Sequence, residues 1–269
     1  MSIVYEPKGK AREYSPLAAN FYEGCNHGCK YCYVPNIRRV NREQFSSCVS
    51  PRRDIIHELE KDFPNYANSK KQILFCFTGD PYCNEEKKSL VTRAALSLAL
   101  QNKIPIAVLT KAGSACLRDI NLFKSFDEHI QVGASLTFFS EKLSSEWEPG
   151  AATPAERIDT LRTLHASGIK TWASFEPVID PAESIRLIKE TVGFVDLYKV
   201  GKLNNFQGFD KSVDWTAFLE SVVDILRAEK KPFFIKHDLR LAAPTVKLFG
   251  NEVLADKHCS SPWEDLSLF

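Results

Sequence analysis

The stretch Phe21-Tyr22-Glu23-Gly24-Cys25-Asn26-His27-Gly28-Cys29-Lys30-Tyr31-Cys32-Tyr33-Val34-Pro35 decides the reading of this chain. It sets three thiols, Cys25, Cys29 and Cys32, on one short loop with the spacing Cys-x3-Cys-x2-Cys. Three thiolates can bind a cubic 4Fe–4S cluster and leave one iron without a protein ligand. Such an iron can hold a small molecule by its amine and carboxylate, which a four-cysteine site cannot do. The residues leave two other readings open. One is a zinc site with His27 or a remote cysteine as fourth ligand, although zinc sites usually come as paired Cys-x2-Cys knuckles. The other is an electron-transfer cluster completed by Cys48 or Cys83.

With an aromatic residue between its second and third cysteines, the loop resembles the signature of the radical S-adenosylmethionine (SAM) superfamily. Tyr31-Cys32-Tyr33 is most similar to the spore photoproduct lyase-like branch. The resemblance covers about residues 18–237. It implies a 4Fe–4S cluster and S-adenosylmethionine as cofactors, reductive cleavage of the sulfonium to a 5′-deoxyadenosyl radical, and a flavodoxin- or ferredoxin-type electron donor. At the level of the branch it implies a nucleic acid or nucleotide as substrate, with a peptide or small metabolite nearly as well supported.

Composition sets the outer bounds. The chain has 269 residues, 44% hydrophobic and 26% charged, and one large α/β domain accounts for that length. Lys and Arg total 35 against 34 Asp and Glu, so no global field draws in nucleic acid and any basic patch is local. No apolar run approaches the ~18 residues needed to span a bilayer. The first ten residues carry no apolar secretory core, and the chain is read as cytoplasmic. Eight cysteines, three of them clustered, are therefore expected as reduced thiols, with Cys76 and Cys116 as small core residues.

Strand-like and helix-like segments alternate from about residue 18 to residue 237. Strands are predicted near residues 18–23, 72–78, 104–110, 130–138, 169–175, 194–200 and 233–236. Ser50-Pro51 is expected to open a helix presenting Ile55, Ile56, Leu59 and Phe63 on one face. Further helices are predicted over residues 85–100, 116–126 and 213–228. Thr153-Pro154-Ala155-Glu156 reads as a capping box whose helix ends at Gly168, and Asp180 starts the next helix by the same logic. Such alternation means parallel strands with right-handed crossovers. Periodicity does not separate a flat sheet from a barrel; the resemblance implies a partial (β/α)6 barrel. The domain reading is an N-terminal extension over 1–17, the partial barrel over 18–237, and a short irregular C-terminal extension over 238–269, where Ser260-Ser261-Pro262-Trp263 is expected to cap one barrel end.

In parallel α/β barrels the reactive residues stand at the C-terminal ends of strands. That rule selects Cys25, Cys29 and Cys32, then Thr78, Gly79 and Asp80, then Thr110 and Lys111. Ser135 and Thr137 follow, then Ser174 and Glu176, Lys199 and Lys202, and Lys236 and His237. In the family, Gly79-Asp80 corresponds to a motif that receives the methionine amino group, and Asp80-Pro81-Tyr82 matches its Asp-Pro form in this branch. The bare residues equally allow Asp80 to cap a helix starting near Asn84. Lys111 matches a lysine that pairs with the methionine carboxylate, and Ser135 a hydroxyl that contacts the cofactor. Glu148 or Glu176 is the candidate for the ribose hydroxyls, with an Arg157–Glu148 ion pair as the structural alternative. Tyr31 and Tyr33 are candidate catalytic radical relays, or packing around the cluster. Lys199, Lys202, Asn204 and Lys236 are the substrate-facing candidates, beside a lateral opening. In spore photoproduct lyase a hydrogen-donor cysteine stands three residues before the Asp; here that place is Phe77, and Cys76 falls on the opposite strand face. The competing class is a non-catalytic iron–sulfur or zinc protein with a redox or structural role.

Overall fold

The computed structural model describes residues 2–203 and 213–260. The apolar runs form strands β1 (Val4–Tyr5), β2 (Leu17–Ala19), β3 (Tyr22–Glu23), β4 (Ser50–Pro51) and β5 (Ile73–Phe75). They continue as β6 (Ile106–Thr110), β7 (Ile130–Ser135), β8 (Lys170–Val178), β9 (Leu197–Lys202) and β10 (Phe233–Ile235). Eight of them make one sheet in the order β1-β2-β5-β6-β7-β8-β9-β10. Each pair from β2 onward is parallel, and β1 runs antiparallel to β2. Neighbours in sequence are neighbours in space, as helical crossovers require. The strands wrap as an open, partial barrel: among the described residues β1 and β10 do not pair with each other.

Period-two alternation separates the two faces of this sheet. Ile106 and Val108 of β6, like Phe175 of β8 and Val200 of β9, pack outward against the helical layer. Ala18, Leu74, Ala107, Trp172 and Leu197 point into the bore, where they enclose Tyr14. Gly133 of β7 is needed there: a Cβ on it would stand 2.5 Å from the Trp172 indole, whose Nε1–H donates to the Val108 carbonyl at 3.0 Å.

Several local expectations are corrected. The first strand is interrupted, β2 ending at Ala19, while β3 pairs with β4 in a separate two-stranded sheet. Ser50-Pro51 is therefore strand and not helix start. Proline has no N–H and is tolerated in such an edge strand, and the helix Ile55–Asp62 begins only after Asp54. The helix expected over 85–100 is broken at Leu90, which adopts φ 54°. The buried Glu86 carboxylate accepts from Thr92 N at 2.8 Å and thereby caps the second piece, Val91–Gln101, from within. The segment expected as one helix over 116–126 is a 3-10 turn, Gly113–Asp119, followed by the helix Ile120–Lys124. Thr153 and Asp180 cap their helices as expected, but the Glu156 carboxylate takes Ser114 N and Oγ as partners.

The C-terminal segment covers the N-terminal ends of the strands. Ser260 Oγ bonds the Gln72 amide and donates to the Ile106 carbonyl at 3.2 Å, and Gln131 Nε2 donates to the His258 carbonyl at 3.2 Å. Residues 261–263 of the expected cap lie outside the described residues. Among the described residues no helix is long and apolar enough to cross a membrane.

Candidate active site

The cysteine loop leaves β3 at the C-terminal end of the barrel and is fixed by its backbone. Gly24 adopts φ +82°, and a Cβ there would stand 2.5 Å from the Cys48 carbonyl oxygen. Gly28 adopts φ +62°, and such conformations favour glycine. Cys25 N donates to Phe45 O at 3.0 Å and Lys30 N to Trp147 O at 2.9 Å. Arg42 donates to the Cys32 carbonyl at 2.7 Å and to that of Cys29 at 3.4 Å. Cys25, Cys29 and Cys32 are free and partly exposed. Gly24→Ala is expected to leave the sheet folded but to lower iron retention severalfold, read as iron per chain after anaerobic reconstitution; unchanged iron content would show that the loop does not need this backbone shape.

His27, the fourth ligand of the zinc reading, is turned toward Gly150 and Asp80. Its Nδ1 lies 2.9 Å from the Gly150 carbonyl and its Nε2 2.9 Å from Asp80 Oδ2. The Nε2 contact lacks hydrogen-bond alignment. Cys83 is fully buried in the apolar cluster on the helix side, and Cys48 is exposed beside Ser47.

Behind the loop lie two buried carboxylates. Asp80 Oδ1 accepts from Tyr82 N at 2.8 Å and Thr110 Oγ1 at 2.7 Å, and Oδ2 accepts from Lys111 N at 2.7 Å while facing His27. Burial pushes the Asp80 carboxyl up, but His27 and these donors outweigh it and hold it below the usual range. The Asp80 carboxylate thus ties the loop after β5 to the loop after β6 and to the cysteine loop. Glu148 pairs with Arg157 at 2.5 Å, accepts from the Tyr31 hydroxyl and from Thr137 Oγ1 (3.1 Å), and lies 3.9 Å from Lys111 Nζ. The Arg157–Glu148 pair read as the structural alternative is therefore formed. Lys111 Nζ also stands 5.7 Å over the Tyr31 ring, and its charge reaches both Cys29 and Cys32.

The bore holds a second polar group that sequence reasoning missed in part. Glu176, at the C-terminal end of β8, takes Lys236 Nζ at 2.5 Å and the Tyr14 hydroxyl, and Tyr14 also lies 2.9 Å from Ser174 Oγ. Ser135 is buried, and its backbone oxygen accepts from Arg157 at 2.9 Å. Tyr33, which follows the third cysteine and stands at the start of the helix Val34–Arg38, is 50% exposed. Nothing in the sequence marked Tyr14, because it precedes the first strand predicted from the sequence and belongs to no period.

The three described lysines expected to face substrate all have partners within the chain, and two of them are buried. Lys199 lies mid-strand inside the bore, donating to the Tyr14 carbonyl at 2.7 Å with its cation 5.1 Å from the Trp172 ring; burial lowers its pKa to about 8. Lys236 is buried and neutralised by Glu176 and Glu13. Lys202 stacks over Trp215 at 5.7 Å. Asn204 lies outside the described residues. The lateral opening is strapped by the 3-10 segment Gly9–Glu13: Glu13 accepts from His237 N at 2.7 Å, Lys10 pairs with Asp238 and Arg12 with Asp256.

A family model of the radical SAM superfamily matches residues 19–195. The chain belongs to the radical SAM superfamily. A protein of Methanocaldococcus jannaschii is 32% identical over 187 residues, 69% of either chain. A protein of Acidianus two-tailed virus is 25% identical over 91% of this chain and 81% of its own length. Among solved structures, Streptococcus suis SuiB bound to S-adenosylmethionine aligns with a TM-score of 0.64 at 16% identity over 86% of this chain. Spore photoproduct lyase with bound S-adenosylmethionine and dinucleoside spore photoproduct aligns with a TM-score of 0.54 at 12% identity over 88% of this chain. The chain spans about half of SuiB, 53%, and 63% of the lyase. At these identities the likeness is one of fold.

The cofactors of this radical SAM protein are a 4Fe–4S cluster and S-adenosylmethionine, and the donor set fits them. Burial pushes the thiols of Cys25, Cys29 and Cys32 up, that of Cys29 to about 12, so thiolates here require a strong positive charge such as iron supplies. Among the described residues no group of three His, Cys, Asp or Glu is arranged around a single metal ion; a multi-iron cluster takes its thiolates farther apart than one ion does.

Proposed function

We propose that Cys25, Cys29 and Cys32 hold the cluster through three thiolates, and that S-adenosylmethionine lies between the cysteine loop and the inner faces of β7 and β8. The observation that carries this reading is three partly exposed thiols on a clamped loop beside the largely buried side chain of Lys111. When bound, the cluster supplies an electron that cleaves S-adenosylmethionine and so provides a 5′-deoxyadenosyl radical for hydrogen abstraction.

The chain's own residues then have distinct tasks. Lys111 presents a charge-assisted donor to the methionine carboxylate. Ser135 and Glu176 face the adenosyl part from β7 and β8. Asp80 and Glu148, whose oxygens are already taken by protein donors, act one step back: Asp80 holds His27 and the Lys111 backbone, and Glu148 orients Lys111 and Tyr31. Lys111→Ala should weaken S-adenosylmethionine binding by about 1.5–3 kcal/mol, the scale of a hydrogen bond to a charged group, with iron content unchanged. Equal affinity, measured by equilibrium dialysis on the reconstituted protein, would remove Lys111 from the cofactor site.

For substrate we propose a nucleobase or nucleotide, on the branch-level resemblance and the half-exposed Tyr33 ring next to the third cysteine, a surface on which a base can stack. Thymine-dimer repair is disfavoured. Cys76 belongs to the apolar cluster on the helix side, and the bore position is filled by Phe77, packed edge-on against Tyr14 at 5.7 Å. Anaerobic reconstitution decides between this reading and the non-catalytic alternative: four irons with S-adenosylmethionine-perturbed electron resonance support the enzyme, whereas one zinc per chain ends it.

A further inference from the structure

The segment around and after the third cysteine carries a charge that the chain as a whole does not. Residues 30–53 hold six cations, Lys30, Arg38, Arg39, Arg42, Arg52 and Arg53, against one acid, Glu43, in a chain of net charge +1. The same segment is unusually apolar at its surface. Of the eight large hydrophobic side chains that stand exposed among the described residues, Tyr33, Ile37 and Val40 fall within it, Ile37 at 65% exposure.

Local structure explains the projection. The helix Val34–Arg38 buries Val34 and Pro35 and leaves its later residues outside. Arg39 then turns the chain in the left-handed region at φ 54°, its N–H on the Asn36 carbonyl, so that Ile37, Arg39 and Val40 all face solvent. Lys30, Arg38 and Arg53 meet Glu146, Glu23 and Asp54 at 3.4–4.0 Å across the surface. Arg39 meets no carboxylate among the described residues. Arg42 spends its guanidinium on the carbonyls of Cys29 and Cys32, which links this surface to two thiol-bearing residues through hydrogen bonds.

We propose that Ile37, Arg39 and Val40, with Arg38 and Arg42 at the rim, form the docking platform for an acidic one-electron carrier protein of the flavodoxin or ferredoxin kind. This rests on the reading that Cys25, Cys29 and Cys32 hold the cluster. An apolar centre ringed by arginines has the composition of a protein interface. The local excess of positive charge steers an acidic partner and speeds its encounter. The step itself moves one electron: the carrier is oxidised by one unit, the cluster is reduced by one, and no atom is transferred. A nucleic acid is the weaker occupant of the platform, because its apolar centre, Ile37 and Val40, is aliphatic and the Tyr33 ring on which a base could stack is not part of it.

The test compares the reconstituted wild type with Ile37→Glu/Arg39→Glu, two surface changes outside the cofactor site. S-adenosylmethionine cleavage is driven in parallel by reduced flavodoxin and by dithionite, at several salt concentrations. The flavodoxin-driven rate is expected to fall by about tenfold or more at low salt, with the wild-type advantage shrinking as salt screens the charges. The dithionite-driven rate should stay within about twofold of wild type, because a small reductant needs no such platform. Equal flavodoxin-driven rates overturn the proposal. So does an equal loss with dithionite, or a loss of single-stranded oligonucleotide affinity with flavodoxin-driven cleavage intact. Failure of the cluster reading is distinct: the wild type would then retain no iron and cleave nothing with dithionite. Flavodoxin affinity, read by fluorescence anisotropy, still judges the platform in that case, about tenfold weaker binding to the variant supporting it and equal binding refuting it.

Discussion

Cys29→Ala is expected to abolish the brown chromophore and all S-adenosylmethionine cleavage while the barrel stays folded. Cys29 is the middle of three thiols, and its loop is held from outside by bonds that its side chain does not make: Cys25 N to Phe45 O, Lys30 N to Trp147 O, and Arg42 to two loop carbonyls. Losing the thiol therefore removes a ligand without releasing the scaffold. Circular dichroism should match wild type, and iron per chain should fall toward zero. Cys48→Ala and Cys83→Ala provide the contrast, since the first is exposed and the second lies in the apolar core; both should keep four irons. Full cluster retention in Cys29→Ala would refute the three-thiolate site.

Arg157→Met is expected to destabilise the fold by about 3–5 kcal/mol, because it leaves Glu148 as an uncompensated charge in the interior. Both partners of this pair are buried, at about 1% exposure each. Arg157 also donates to the Ala152 and Ser135 carbonyls, at 2.8 and 2.9 Å, so its loss unties β7 from the helix behind it. Burial pushes the Glu148 carboxyl up, but Arg157, then Lys111 and Tyr31, outweigh it and hold it low. A carboxyl depressed in the folded state adds stability that is complete above its unfolded pKa and is lost as pH falls through the folded one. The stability gap between wild type and Arg157→Met should accordingly narrow as pH falls below the ordinary carboxylate range. Replacing both partners, Glu148→Leu/Arg157→Met, should cost less than Arg157→Met alone, since an apolar pair carries no orphaned charge. Urea denaturation of the three proteins measures this; a double variant less stable than the single one would mean that the pair contributes through geometry and not through charge neutralisation.

Sequence alone determined the parallel α/β architecture, because period-two and helical apolar patterns, caps such as Thr153 and Asp180, and the end signal at Gly168 are local properties of the chain. It also determined the cysteine loop, since three thiols in eight residues need no distant partner to be recognised. It set Cys76 and Phe77 on opposite faces, but which of the two enters the bore was not legible, since alternation from Leu74 would have chosen Cys76. What it did not determine is which polar residue answers which. Asp80 and Glu176 stand at strand ends as the barrel rule demands, and Glu148 closes the helix Glu141–Trp147, yet their partners come from elements up to 162 residues away, as in the bond from Tyr14 to Glu176. Lys199 and Lys236 read as rim cations; only packing showed one beneath Tyr14 and the other neutralised by Glu176. The lateral gap looked open because strand count says nothing of Gly9–Glu13, whose ion pairs to Asp238 and Asp256 close it. Local periodicity writes the elements into the sequence, but charge pairing and bore filling are settled by long-range approach, and that only the tertiary structure decides.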